Sequence, residues 1–69
     1  MSAIPVTVNG ESRQVPAPAT LLDLLASLGL DPRTVVVELN RDIVRRPRLG
    51  EVRLAPGDRV ELVHFVGGG

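Results

Sequence analysis

Cysteine is absent from this sequence, and so are lysine, tryptophan and tyrosine; phenylalanine and histidine occur once each, as Phe65 and His64. No disulfide can stiffen the chain and no thiolate site can hold a metal. One histidine alone does not build a zinc site. All eight cationic side chains are arginine, so no side-chain amine is present to accept an acyl group. An excess of charge of either sign is missing too, because eight acidic residues balance the arginines. A balanced chain carries no electrostatic signature of a nucleic-acid or membrane partner. No apolar run approaches the roughly 18 residues of a membrane span. Met1-Ser2-Ala3 lacks the basic start and apolar stretch of a signal peptide, so the expected location is cytoplasmic.

What remains is an aliphatic chain with regular punctuation. At 69 residues it makes one domain, and a domain of this size buries only about 60% of its unfolded surface. Ile4, Val6 and Val8 alternate with Pro5, Thr7 and Asn9, the pattern of a strand with one buried face. Pro5 is an awkward member, since proline cannot donate to a ladder. Asn9-Gly10 suits a type I′ turn, with Glu11 to Val15 returning as the second strand. Pro16-Ala17-Pro18-Ala19 reads as a rigid connection. Thr20 is a good helix N-cap, and Asp23 completes an acidic variant of the capping box. Leu21, Leu22, Leu24, Leu25 and Leu28 then form an apolar stripe of about two and a half turns, closed by Gly29 at the C′ position and Pro32 beyond it. Each buried leucine contributes roughly 1.5–3 kcal/mol, which makes these five the expected heart of the core.

Val35 to Leu39 is a β-branched strand. Asn40-Arg41-Asp42 turns the chain, and Ile43-Val44 restarts a short extended piece. Pro47 to Gly50 is irregular, and Val52 and Leu54 suggest another short strand or turn. Ala55-Pro56-Gly57-Asp58 has the chemistry of a type II turn. Arg59 to Val66 reads as the longest strand, with Val60, Leu62, His64 and Val66 on one face and Glu61, Val63 and Phe65 on the other. One short helix covers only one face of a sheet, so the order predicts a two-layer α+β domain over residues 1–66. Its mixed sheet of four to five strands has the helix packed on one face. The first and last strands must both be central to bury their apolar faces under the leucines, which is the ubiquitin-like β-grasp. Residues 67–69 are expected to form a flexible glycine tail.

No catalytic constellation is present. Ser2, Ser12 and Ser27 sit in no nucleophile motif, and no helix follows Gly67-Gly68-Gly69 to make it a phosphate loop. No bound cofactor and no metal are expected. Val63 and Phe65, in alternate positions on the uncovered face and leading into the glycines, make a candidate docking patch unless a neighbouring strand covers them. Arg41, Arg45, Arg46 and Arg48 form a basic segment without the interleaved aromatics of base stacking, so a solvated surface or a protein contact is expected rather than nucleic acid. His64 belongs on the core side or its rim. Read as the end of the chain, the three glycines span about 10 Å beyond Val66 and could carry a carboxylate down a narrow channel of another protein. Such a carboxylate is a poor electrophile until activated, and adenylation by ATP is the usual activation.

Val35-Val36-Val37-Glu38-Leu39-Asn40, followed by Gly57-Asp58-Arg59-Val60-Glu61-Leu62-Val63-His64-Phe65-Val66-Gly67-Gly68-Gly69, resembles the sulfur-carrier family of thiamine (thiazole) biosynthesis, ThiS. The last thirteen residues carry the specific part, because a diglycine end alone is shared by all ubiquitin-like carriers. The resemblance implies a protein co-substrate rather than an enzyme. A ThiF-like adenylating enzyme, using ATP, would convert the Gly69 carboxylate to an acyl-adenylate. Sulfur from cysteine, delivered through a desulfurase, would replace the adenylate, and the Gly69 thiocarboxylate would supply a ThiG-like thiazole synthase. Gly68 is the other member of the family's diglycine, and Gly67 is one glycine more than the minimal pattern. Related carriers for molybdopterin synthesis or tRNA thiolation share fold and tail. A β-grasp binding module without acyl chemistry is the alternative from a different class.

Overall fold

The computed structural model describes residues 2–65. Five strands and one helix follow in the order β1 (Ser2–Val8), β2 (Glu11–Ala17), α1 (Leu21–Ser27), β3 (Val35–Leu39), β4 (Asp42–Val44) and β5 (Arg59–His64), with short 3-10 turns at Pro32–Thr34 and Arg46–Arg48. The sheet order is β2-β1-β5-β3-β4. Only the β1–β5 pair is parallel; the other three are antiparallel. The first and last strands are therefore both internal, as expected. The glycine tail, with Val66, lies outside the described residues.

Both hairpin turns follow from asparagine's tolerance of the left-handed region. Asn9 and Gly10 have φ of 49° and 83°, and Asn40 and Arg41 have φ of 50° and 77°. Pro5 is accommodated inside an internal strand by its direction. The odd-numbered residues of β1 turn their N–H groups toward β5, as Thr7 does in donating to the Asp58 carbonyl at 2.9 Å. At Pro5 that side meets only the turn before β5, and the Pro5 carbonyl accepts from Gly57 N–H at 2.7 Å. The missing donor thus falls where no strand needs it.

The capping box forms as expected: the Asp23 N–H donates to Thr20 Oγ1 at 3.1 Å, and the Thr20 N–H donates to Asp23 Oδ2 at 2.9 Å. At the other end Leu30 N–H bonds the Leu25 carbonyl and Gly29 N–H the Ala26 carbonyl, a Schellman closure with Gly29 at φ 72°. The helix has only seven residues, so the stripe is shorter than the sequence suggests. Leu21, Leu24 and Leu25 are buried and Leu28 is partly buried against them, but Leu22 is 41% exposed. Leu22 lies 100° around from Leu21 and falls on the flank of the stripe rather than in it. Its place in the core is taken by Leu49 and Leu54. Leu49 follows the second 3-10 turn, is 1% exposed, and accepts the Leu22 N–H through its carbonyl. Val52 and Leu54 form no strand; only an isolated bridge joins Arg53 to Thr20.

β5 ends at His64 and is six residues long, one fewer than β1 or β2, so it is not the longest strand. Its ladder with β1 covers only Arg59 and Val60, because β1 turns away at Asn9.

Candidate functional site

The exit of β5 is held by side chains that substitute for absent strand neighbours. Beyond Val60 the β1 flank of β5 has no backbone partner among the described residues, and Asn9 fills the gap. Its Oδ1 accepts the Leu62 N–H at 2.7 Å and its Nδ2 donates to the Leu62 carbonyl at 3.2 Å. Asn40, in the other hairpin turn, treats the start of β5 in the same way. Its Oδ1 accepts the Arg59 N–H at 2.9 Å, and its own N–H donates to the Arg59 carbonyl at 2.8 Å. Thr34 secures the far end: its carbonyl accepts the Phe65 N–H at 3.0 Å and its Oγ1 lies 3.2 Å from His64 Nε2. The Thr34 turn is itself capped by Asp31, which accepts the Arg33 N–H and takes the Arg33 guanidinium in a fork. That hydrogen bonding holds the Asp31 carboxyl well below the usual carboxylate range, at about 2. The chain is thus positioned up to Phe65, immediately before the segment that leads to Gly69.

His64 sits where expected, at the rim of the covered face. It lines a shallow recess with Val8, Leu28, Leu30 and Leu62. On the open face, Val63 is 55% exposed and Phe65 43%, so no strand among the described residues covers them. They have company that sequence reasoning missed. Val36, 38% exposed, is the cross-strand partner of Val63, and Ile43 on β4 is 66% exposed. Strand alternation explains the omission. Val36 sits inside a valine run that reads as uniformly buried, and Ile43 in a piece too short to show a period.

The basic segment does not act as one patch. Arg41 lies with Arg59 beside Gly57, and Arg48 approaches Glu51 at 3.9 Å. Arg45 and Arg46 join Arg33 around an open groove of about 510 Å³ that includes Val36, Ile43 and Phe65. Glu38 and Glu61 face each other across β3 and β5 on the same open side. Among the described residues no group of three or more histidine or acidic side chains gathers as for a metal, and no helix is long and apolar enough to cross a membrane. The candidate site is therefore an exposed apolar surface beside a positioned strand exit. Gly67, Gly68 and Gly69 lie outside the described residues.

A five-stranded mixed sheet holding one short helix, with its first and last strands adjacent and parallel at the centre, defines a ubiquitin-like β-grasp. The ThiS family model matches residues 6–69, and the chain belongs to that family, as the resemblance implied. A curated relative, the sulfur carrier protein ThiS of Bacillus subtilis, is 50% identical over 72% of this chain and 76% of its own length. Thiazole synthases of Paramagnetospirillum magneticum and Magnetococcus marinus are 42% and 44% identical over 93% of this chain. The chain spans only 20% of the length of those two relatives. The crystal structure of the thiamine biosynthesis protein ThiS from Geobacter metallireducens superposes with a TM-score of 0.81 at 32% identity, covering 96% of this chain and all of that one.

Proposed function

We propose that this chain is a sulfur carrier of thiamine biosynthesis, a protein co-substrate rather than an enzyme, with Gly69 as the residue that bears the sulfur. The observation that carries this reading is the family match, which runs through the last glycine at residue 69. The relatives named for thiamine and thiazole favour this pathway over molybdopterin synthesis or tRNA thiolation. The Gly69 carboxylate attacks the α-phosphorus of ATP in a ThiF-like adenylating enzyme, releasing pyrophosphate and forming an acyl-adenylate. The outer sulfur of the persulfide that a desulfurase forms from cysteine then attacks the acyl carbon and displaces AMP, and thiol (excess cysteine in the assay) reduces the resulting acyl disulfide, leaving a thiocarboxylate that a ThiG-like thiazole synthase consumes. This chain binds no cofactor of its own, and the cytoplasm, where ATP and these enzymes meet, is its proposed location.

Every Cβ removed from residues 67–69 narrows the segment that enters the partner, while Val63 and Phe65 offset the ordering cost by docking outside. The test is intact mass after incubation with ATP, the adenylating enzyme, a desulfurase and cysteine. The expected result is a gain equal to sulfur replacing oxygen, abolished when one residue is appended after Gly69. A mass gain that survives the extension would refute the reading.

A further inference from the structure

Asn9-Gly10 is the one asparagine–glycine pair in the chain, and the only other asparagine, Asn40, is followed by Arg41. An asparagine before a glycine is chemically unstable. The glycine's backbone nitrogen, after losing its proton, attacks the asparagine Cγ. A C–N bond closes a succinimide ring, and the Cγ–Nδ2 bond breaks to release ammonia. Water then opens the ring at either carbonyl, leaving aspartate or isoaspartate. Glycine favours this step because no Cβ hinders its nitrogen and its dihedrals are the least restricted.

The fold holds Asn9 away from that geometry. Asn9 and Gly10 sit in a left-handed turn at φ 49° and 83°. The Asn9 N–H donates to the Val60 carbonyl at 2.9 Å. Its Oδ1 accepts the Leu62 N–H at 2.7 Å, and its Nδ2 donates to the Leu62 carbonyl at 3.2 Å. Backbone and side chain are thus both tied to β5, and the nitrogen that must leave is one of the donors. The Leu62 N–H draws electron density from the amide and makes Cγ more electrophilic. Cγ must still swing off Leu62 and onto the Gly10 nitrogen before any bond forms, so geometry decides the sign and the clamp protects. Asn40 is an internal comparison. It has the same left-handed turn, at φ 50°, and its Oδ1 also accepts from β5, at Arg59. The nitrogen that follows it belongs to a residue with a side chain.

We propose that Asn9 is a site of spontaneous deamidation controlled by the Leu62 clamp: folding protects it, and its product weakens the hold on β5 just before the strand's exit. The opening that exposes the pair is local, since the ladder of β5 with β1 ends at Val60 and the clamp is what continues it. An aspartate at position 9 still accepts the Leu62 N–H. Its second oxygen, an acceptor only, takes the place of Nδ2 and faces the Leu62 carbonyl with no proton between them. Isoaspartate adds an atom to the main chain inside a two-residue turn and disturbs the register of β1 with β2. Under the carrier reading, the strand so loosened is the one that leads to Gly69; the deamidation itself stands without that reading.

The test is incubation of the full chain in mildly alkaline buffer, native and in denaturing urea, followed by intact mass and peptide mapping. In urea Asn9 should convert, with a mass gain equal to hydroxyl replacing the amide NH2 and isoaspartate among the products, while Asn40 stays nearly intact. The native chain should convert at least roughly 10-fold more slowly, because reaction waits on local opening. Across sub-denaturing urea, the conversion rate should rise in step with hydrogen exchange at the Leu62 N–H. Conversion of Asn40 as fast as Asn9 in urea, or none at either, would overturn the site. A native rate equal to the unfolded one would overturn the clamp. These measurements use the parent chain and decide both points whatever a variant does. Asn9→Asp then isolates the consequence: its melting temperature should fall and its Leu62 N–H should exchange faster. A variant unchanged in both would overturn the weakening of β5.

Discussion

The two faces of one sheet are built from nearly the same residue types and are used in opposite ways. Under the helix, Ile4, Val6, Val8, Val15, Val35, Val37 and Val60 are all buried. On the other side Val36, Ile43, Val63 and Phe65 are exposed, although Val36 and Val63 are the immediate chain neighbours of residues that face the core. Valine content does not separate the faces; strand alternation and the single helix do. The covered face is paid for by burial, while the open face holds apolar surface in water, where it adds little to folding. Under the carrier reading proposed above, that surface serves association.

Removing a covered side chain breaks the comparison most strongly. Leu25 is 1% exposed, and Leu25→Ala should cost about 3 kcal/mol, a large share of the stability of so small a domain. Val63→Ala, on the open face, should change stability by no more than about 0.5 kcal/mol. Its effect should appear in KM for adenylation instead. Urea denaturation of both variants, beside their adenylation kinetics, checks the contrast. A Val63→Ala that unfolds as readily as Leu25→Ala would show that the open face is part of the core.

A smaller effect belongs to the strand that the two faces share. Asn9 holds β5 by its side chain, so Asn9→Gly keeps a turn at positive φ and loses only the two hydrogen bonds to Leu62. That loss should cost about 1 kcal/mol. Asn9→Ala should cost about 1 kcal/mol more, because alanine resists the left-handed region. Amide exchange locates the effect. The Leu62 N–H should exchange faster in Asn9→Gly, while Val37, which faces Leu62 from β3, should change less. Equal acceleration at both would mean that the sheet loosens as a whole.

The elements that local chemistry dictates were readable from the chain: both turns after β1 and β3, the Thr20–Asp23 cap, the Gly29 stop, the turn at Pro56-Gly57 and the central placement of β1 and β5. The exposure of the open face was readable where it coincides with alternation, at Val63 and Phe65. What escaped lacks a period. Leu49 is fully buried from an irregular segment, because a 3-10 turn places it under the helix. Leu22 reads as a core residue in the sequence because a run of leucines hides the boundary of the stripe, yet it is exposed. The groove joins Arg33, Ile43 and Arg45 to Phe65, residues brought together only by the β3–β4 and β3–β5 pairings. Asn9 looked like a turn residue and no more, since nothing local shows that its amide completes a strand at Leu62.

The finest test of the comparison lies in the Glu38–Glu61 pair. Carboxylates placed directly opposite on neighbouring strands repel, and the penalty for such a pair is roughly 0.2–1 kcal/mol. A face selected for folding alone would not keep one at the centre of its sheet. Glu61→Gln preserves size and hydrogen-bonding reach and removes one charge, so it should stabilise the domain, raising the melting temperature by about 1–8 °C. The gain should shrink in high salt, because both side chains reach solvent and their repulsion is screened there. The same change made at Glu51, which faces no carboxylate across a ladder, should leave the melting temperature nearly unmoved. If Glu61→Gln instead lowers it, the pair is compensated by its surroundings, and the open face contributes to folding after all. If the variant is more stable yet poorer as a substrate for adenylation, the repulsion is retained for the partner, and the two faces differ in what they are selected for as well as in what covers them.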